Sequence, residues 1–173
     1  MKPYHGPIEG ERILLRLLEE RDLDLIRGWR NRDDTRVWFF DPAVISPEQH
    51  RAWYDGYLTR DDDFVFIIER RNPQREPIGQ ASIYHIDPRL RRAELGRVII
   101  GEPAARGMGF STEAVRMLVG FAVPTWGLAE IFSDVIERNL PSRAMLRSSG
   151  FREEQPSSGV VRSVYRVSSR PDA

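Results

Sequence analysis

Arg106-Gly107-Met108-Gly109-Phe110-Ser111-Thr112-Glu113-Ala114 is the stretch whose reading decides the fold. Two near-adjacent glycines lead into an amphipathic segment, which predicts a helix from Thr112 to about Val123. Glycine lets the backbone turn tightly and come close to a ligand with no Cβ in the way, so several N–H groups can converge on one anion. The helix that follows puts the positive end of its dipole at the same place. Upstream, Ala93-Glu94-Leu95-Gly96-Arg97-Val98-Ile99-Ile100 alternates like a strand and then turns apolar. The unit is therefore strand, phosphate-binding loop, helix.

Other phosphate loops fit less well. A Walker loop requires Gly-Lys followed by Ser or Thr, and this loop has no Lys. A dinucleotide fingerprint is closer, because Gly107-x-Gly109-x-x-Thr112 imitates it and Glu130 lies downstream at about the expected 20 residues. That fingerprint follows the first strand of a βαβ series, whereas here several strands in hairpin-like order come first.

In its surroundings the loop resembles the signature of the GNAT superfamily of acetyl-CoA-dependent N-acetyltransferases, [Gln/Arg]-x-x-Gly-x-[Gly/Ala]. It is met by Arg106-x-x-Gly109-x-Ser111, with Ser111 a departure at the last position. A second landmark runs from Asn139-Leu-Pro-Ser142 to Gly150-Phe151 and resembles the family's Asn-x-x-[Ala/Ser]…Gly-Phe segment. The resemblance covers roughly Glu11 to Glu154. Within the superfamily, Trp29-Arg30-Asn31, Arg36-Val37-Trp38-Phe39 and Ile45 to Trp53 resemble the N-acetyltransferases of UDP-linked 4-amino-4,6-dideoxy sugars. Ribosomal-protein N-terminal and polyamine acetyltransferases share the Leu15-Arg16-x-Leu18 opening and the Arg91-Arg92-Ala93-Glu94 strand entry.

The implied fold is a single α/β (α+β) domain over 1–173, with its core about 11–167. It is a mixed, mainly antiparallel sheet of six to seven strands flanked by helices, with a V-shaped split between the family's fourth and fifth strands. The implied reaction is direct attack of a primary amine on acetyl-CoA in a ternary complex. By resemblance, the backbone of Val98, Ile99 and Ile100 would hold the pantetheine arm and polarise the acetyl carbonyl. The amides of Gly107, Met108, Gly109, Phe110, Ser111 and Thr112 would take the pyrophosphate, helped by Arg106 or Arg147. Asn139 matches a position that bonds the cofactor arm.

Deprotonation of the amine calls for a base that titrates near neutrality. His50 is the first candidate by its imidazole and its place in the sugar-enzyme helix motif, and Glu94 is the second, because the resemblance implies a strand carboxylate there that serves as base, often through water, in several branches of the family. The Tyr that usually protonates the leaving thiolate is replaced by Leu146, which leaves Ser148, Tyr84 or water for that role. Trp29, Arg30, Asn31, Arg36, Trp38, Phe39 and Trp53, with Tyr84, form the expected acceptor wall, rings stacking on a base or sugar and arginines meeting a diphosphate. A nucleotide-linked amino sugar is the expected acceptor. The alternatives are a peptide N-terminus, a polyamine, or a CoA-binding regulatory module without turnover.

Composition sets the outer bounds. A chain of 173 residues, 40% hydrophobic, suits one domain. No apolar run approaches the roughly 20 residues of a membrane span, and the start lacks a signal-peptide core, so the expected location is cytoplasmic, with no membrane partner. Cysteine is absent, which excludes disulfides, thiolate metal sites and a cysteinyl acyl intermediate. His5, His50 and His85 have no metal-ligand spacing, so no metal is expected. The 26 basic residues balance 26 acidic ones and are interleaved with them, which argues against nucleic acid. The expected partners are a small-molecule amine and, at most, a second copy in a homodimer.

A capping-box start at Ser46-Pro47-Glu48-Gln49 predicts a helix from Pro47 to about Thr59. Another helix is expected over Glu20 to Asn31. Strands are expected at Ile13 to Leu18, Phe64 to Arg70, Ile78 to Ile86, 92 to 100, Ile131 to Ile136, Arg152 to Gln155 and Val160 to Val167. A turn at Asn72 to Glu76, a short helix from Pro141 to Ser149 and a frayed tail from Ser168 complete the outline.

Overall fold

A computed structural model describes residues 6–71 and 74–167. His5, the tail from Ser168 and part of the Asn72 to Glu76 turn lie outside the described residues. The elements run β1 (Ile8–Glu9), β2 (Ile13–Leu17), a 3-10 turn (Glu20–Asp22), α1 (Leu23–Asn31), α2 (Asp33–Arg36) and α3 (Pro47–Thr59). Then follow β3 (Asp63–Arg70), β4 (Glu76–Asp87), β5 (Arg92–Ile100), α4 (Phe110–Trp126), β6 (Glu130–Ile136), α5 (Leu140–Ser148), β7 (Arg152–Glu153) and β8 (Val160–Arg166).

They build one sheet in the order β1-β2-β3-β4-β5-β6-β8-β7, antiparallel except for the parallel pair β5 and β6. Its eight strands exceed the expected six to seven because β1 pairs with β2 through two residues only, too short for a periodic signal.

Both faces of the sheet are covered, and the sequence of β3 shows why. Phe64, Phe66 and Ile68 enter the core under α4, with Ala114, Val115 and Leu118, while Val65 and Ile67 enter the core under α1 and α3, with Ile26, Tyr54 and Tyr57. A strand buried on both sides reads as a continuous apolar run.

The cap of α3 closes as the sequence requires: Ser46 Oγ accepts the Gln49 N–H at 3.2 Å and Gln49 Oε1 accepts the Ser46 N–H at 2.8 Å. α4 starts earlier and runs further than predicted. Pro124 lies in its last turn, where it removes only the bond to the exposed Gly120, and Gly127 at φ +62° ends the helix.

Two contacts dock the helices that precede the site. Arg16 on β2 forks onto Asp22 at 2.7 and 2.8 Å and also pairs with Glu69 of β3, pinning the entry to α1 against the sheet. Trp29 lies on Gly101, where a Cβ would fall 2.1 Å from the ring, and donates Nε1–H to Glu102 at 3.1 Å. α1 is thereby fixed over the end of β5.

Candidate active site

β5 and β6 pair only through Arg92 with Glu130, Ala93 with Ile131 and Glu94 with Phe132, and then part. A bulge on β5 drives the separation. Gln80 faces Ile99 while Ser82 faces Gly96, so β5 carries one residue more than β4 there, and Arg97 takes up the excess at φ +52°. Gln80 Nε2 donates to the Arg97 carbonyl at 3.3 Å and braces the bulge. The resulting cleft holds about 450 Å³. Gly96 to Ile100 form one wall, and Ser133 to Val135 with Asn139, Met145 and Leu146 form the other.

The glycine loop opens α4 in the expected place. Gly107 and Gly109 sit at φ +72° and +81°, a region that costs a side-chain-bearing residue about 1–2 kcal/mol. None of the six main-chain N–H groups from Gly107 to Thr112 finds an acceptor among the described residues. Four free donors are ordinary at a helix start; two further ones, turned by left-handed glycines, make a concave donor array. Arg12 holds the array in shape: its main-chain N–H and Nε both reach Glu113, at 3.0 and 2.7 Å, and its Nη1 reaches the Met108 carbonyl at 2.9 Å. The Arg12 guanidinium also lies 4.8 Å from the buried Phe110 ring. Sequence reasoning missed Arg12, which lies almost a hundred positions from the loop it supports.

Several expected site residues are engaged differently. Arg106 lines the cleft, but its Nη1 pairs with Asp34 at 2.6 Å and its Nε bonds the Ile100 carbonyl at 3.1 Å. Arg147 pairs with Glu153 at 2.8 Å and is not among the lining residues. Asn139 lines the cleft while its Oδ1 accepts the Ser142 N–H at 3.3 Å as the cap of α5. Val98 and Ile100 are half-buried along the wall, and Ile99 is buried beside Trp29 and Tyr57.

The expected acceptor wall assembles only in part. Trp38, Phe39 and Tyr84 line the cleft, joined by Phe40 and Asp34, which sequence reasoning did not single out. Trp29 is core. Trp53 stacks between His50 and Tyr57, with ring centroids 5.1 and 5.4 Å away. Asn31 binds the Ile45 backbone through both ends of its amide, at 2.8 and 2.9 Å, closing the loop between α2 and α3. Arg30 lies 4.0 Å from the Phe39 ring and donates to the Asp41 carbonyl, while Arg36 donates to Asp33 and the Pro42 carbonyl. Aromatic and arginine residues near helix ends serve core and cleft alike, so their pattern alone did not separate the two.

His50 lies apart from the cleft. It is buried at the start of α3 in a separate cavity with Glu20, Asp24 and Arg27, and no lining residue of that cavity belongs to the cleft. Burial, then the neighbouring Arg27, lowers its proton affinity below that of free histidine. Ser148 also lies outside the cleft lining: it is exposed at the end of α5, with its carbonyl accepting from Arg116.

Glu94, the other candidate base, has close partners at the head of the split. Tyr84 donates Oη–H to Glu94 Oε1 at 2.9 Å, and His85 Nδ1 lies 2.9 Å from Oε2. The Tyr84 ring lies 4.1 Å from the Arg97 guanidinium, which pairs with buried Asp63 at 2.9 Å. Burial, then the Glu94 charge, raises the Tyr84 phenol well above its ordinary value, so it stays protonated at neutral pH. Gly96 leaves the hydroxyl uncovered: a Cβ at that position would lie 2.6 Å from Oη.

Gly107 to Thr112 are not among the cleft's lining residues, but Arg106 is and leads directly into them, so a ligand that joins a diphosphate to an extended chain of amides can span loop and cleft. The donor array suits the diphosphate, and the parted backbones of β5 and β6 suit the chain. Among the described residues no group of three or more His, Asp or Glu side chains could hold a metal ion, and no helix is long and apolar enough to cross a membrane.

Comparison with known proteins agrees with this geometry. The family model described as an acetyltransferase (GNAT) domain matches residues 12–152. A probable N-acetyltransferase, YjcK of Bacillus subtilis, is 31% identical over 170 residues, spanning 92% of this chain and 89% of the relative. The crystal structure of spermidine N-acetyltransferase from Vibrio cholerae with CoA and spermine superposes with a TM-score of 0.79 at 23% identity, over 91% of this chain and 96% of the other. RimL, a ribosomal L7/L12 α-N-protein acetyltransferase in complex with CoA, gives 0.78 at 18% identity, over 94% and 98%.

Proposed function

The chain belongs to the acetyltransferase (GNAT) family and is an acetyl-CoA-dependent N-acetyltransferase, and from that premise we propose that its acceptor is the α-amino group of a polypeptide. The observation that carries this reading is the character of the cleft mouth. Trp38 and Phe40 line it at 38% and 64% exposure, and Leu140 stands 63% exposed between the lining residues Asn139 and Pro141. Such a rim suits the apolar side chains and backbone of an extended peptide.

Charge supports the same choice. A polyamine calls for unsatisfied carboxylates, but Asp34 is paired with Arg106 at 2.6 Å and Asp134 with Arg162 at 2.6 Å. A nucleotide-linked sugar calls for arginines free to meet a diphosphate, whereas Arg30 and Arg36 hold main-chain carbonyls. Trp29 and Trp53, meant for a base or sugar face, are packed elsewhere. RimL bears a name that describes protein α-amine acetylation on the same fold. An α-amine titrates at about 7.7–8.0 against about 10.4 for lysine, so much of it is already neutral near pH 7.5 and a mild base suffices.

We assign pyrophosphate binding to the amides of Gly107 to Thr112 and the amide-bearing arm to Val98, Ile99, Ile100 and Asn139. Acetyl-CoA supplies the activated acetyl group. The protein's own work is to hold the diphosphate, keep the amine beside the β5 bulge and move protons there. The test is thiol release with acetyl-CoA and a panel of short peptides, spermidine and UDP-linked amino sugars, ranked by kcat/KM. Peptides with a free α-amine are expected to lead, and N-formylation should abolish their turnover. Spermidine or an amino sugar outrunning every peptide by tenfold would overturn the acceptor assignment.

A further inference from the structure

We infer that the Tyr84 hydroxyl is a proton shuttle between the attacking nitrogen and the departing sulfur, with Glu94 as the proton store and His85 as the residue that positions Glu94. The inference deepens the acetyltransferase reading and rests on it. It answers a deficit that the family resemblance implies: Leu146, buried at the cleft wall, occupies the position where the resemblance expects a Tyr to protonate the leaving thiolate.

Geometry places the hydroxyl for this task. Tyr84 lines the cleft at the point where β5 and β6 part, just beyond their last pair, Glu94 with Phe132. Gly96 uncovers Oη toward the cleft, and behind the hydroxyl Glu94 Oε1 is its hydrogen-bond acceptor at 2.9 Å. Arg97, anchored on Asp63, covers the ring and fixes its plane.

The arrangement depends on a strained residue. Neighbours in a regular strand point to opposite faces, so Tyr84 and His85 would not ordinarily meet one carboxylate. His85 sits at φ +50°, where the pairing of β4 with β5 slips between Tyr84 and Asp87. This bulge turns both side chains onto Glu94, one on each oxygen. Backbone held in a sparsely populated region, next to a cleft, points to a constraint on function.

The proton bookkeeping closes without another reactant. The neutral amine forms the N–C bond to the acetyl carbon. Its surplus proton passes to Tyr84 Oη as the phenolic hydrogen passes to Glu94 Oε1, leaving Glu94 neutral. When the C–S bond breaks, its electron pair stays on sulfur. Tyr84 then gives a proton to that sulfur and recovers one from Glu94. Amide and thiol are the products, and Tyr84 and Glu94 return to their starting states. Throughout, the His85 Nδ1–H holds Oε2, so that Oε1 is the oxygen facing the phenol.

The test uses the full chain and whichever amine of the panel the wild type acetylates fastest, so a wrong acceptor class leaves it intact. Tyr84→Phe is expected to lower kcat about a hundredfold, the scale of general acid–base catalysis, with CoA affinity by calorimetry unchanged. The wild-type rate should depend on deuterium fraction along a curve, as for more than one proton in flight, and the Tyr84→Phe rate along a line. Glu94→Gln keeps an acceptor for the phenol but cannot store a proton, and should give the same loss; it decides the matter if Tyr84→Phe does not fold. His85→Asn, which tolerates a positive φ and can still donate an N–H, should retain most of the rate that His85→Ala loses. A readout without substrate is the ¹⁵N shift of His85 Nδ1, expected to move on Glu94→Gln. Wild-type turnover in Tyr84→Phe or Glu94→Gln, a deuterium dependence unchanged by Tyr84→Phe, equal rates for His85→Asn and His85→Ala, or a His85 shift indifferent to Glu94→Gln would each overturn the shuttle. Absence of thiol release from wild type with every amine would instead refute the acetyltransferase reading beneath it.

Discussion

Replacing Gly109 with valine probes the donor array where it is most exposed to refutation. Space is not the obstacle. Among the described residues outside its own chain neighbours, the only atom within 4 Å of a Cβ at 109 is Arg12 Nη2, at 3.5 Å, an ordinary contact. The obstacle is the backbone at φ +81°, which costs any L-residue about 1–2 kcal/mol and a β-branched one more. The chain can keep its turn and lose stability, or relax to negative φ and swing the amides on either side out of register. A hydrogen bond to a charged group contributes about 1.5–3 kcal/mol, so losing two to a diphosphate costs about 3–6 kcal/mol. That range corresponds to a rise in the acetyl-CoA Kd of roughly a hundredfold or more. Titration calorimetry measures it directly, with circular dichroism melting as the check that the fold survives. Gly109→Ala should fall between wild type and Gly109→Val, because alanine carries no β-branch. If Gly109→Val folds and binds acetyl-CoA within threefold of wild type, the main-chain amides are not what holds the diphosphate.

Two further predictions concern residues away from the cleft. Burial alone would raise the Asp22 carboxyl, but Arg16 and the Glu19 N–H outweigh it and hold it below the usual carboxylate range. Its contribution to stability is thus present above the unfolded carboxylate pKa and is lost as pH falls through the depressed folded value. Asp22→Asn, which leaves the largely buried Arg16 with Glu69 as its remaining carboxylate partner, should cost about 1.5–3 kcal/mol at pH 7 in urea unfolding and less near pH 3; equal midpoints at pH 7 would refute the pairing argument. His50→Ala should lower the melting temperature by a few degrees, through the lost stack on Trp53, while kcat/KM stays within about twofold; a tenfold loss of kcat would restore His50 as the base.

How far the sequence reaches depends on whether a signal is local. The loop at 106–114 and the cap at Ser46 are legible because glycine conformation and capping chemistry act over four or five residues. Glu94 is reached through the family resemblance, which implies a basic carboxylate on that strand. Arg12 is not, because its partners Met108 and Glu113 become neighbours only once β2 lies beside α4. Trp29 and Trp38 differ by nine positions and share one hydropathy, yet one packs on Gly101 and the other faces the cleft. Most instructive is His85. Period-two alternation would send it away from Tyr84's partner, and only a left-handed bulge, which a single histidine signals weakly, returns it to Glu94.

The three rungs that join β5 to β6 have a mechanical meaning. Five strands on one side and three on the other are stitched at one end only, and beyond the last stitch two backbones face each other with their polar groups turned inward. An unpaired strand border on the outside of a protein invites neighbouring chains to attach. Here the same adhesive property is turned into the middle of the sheet, where a slender amide-bearing molecule can lie along it.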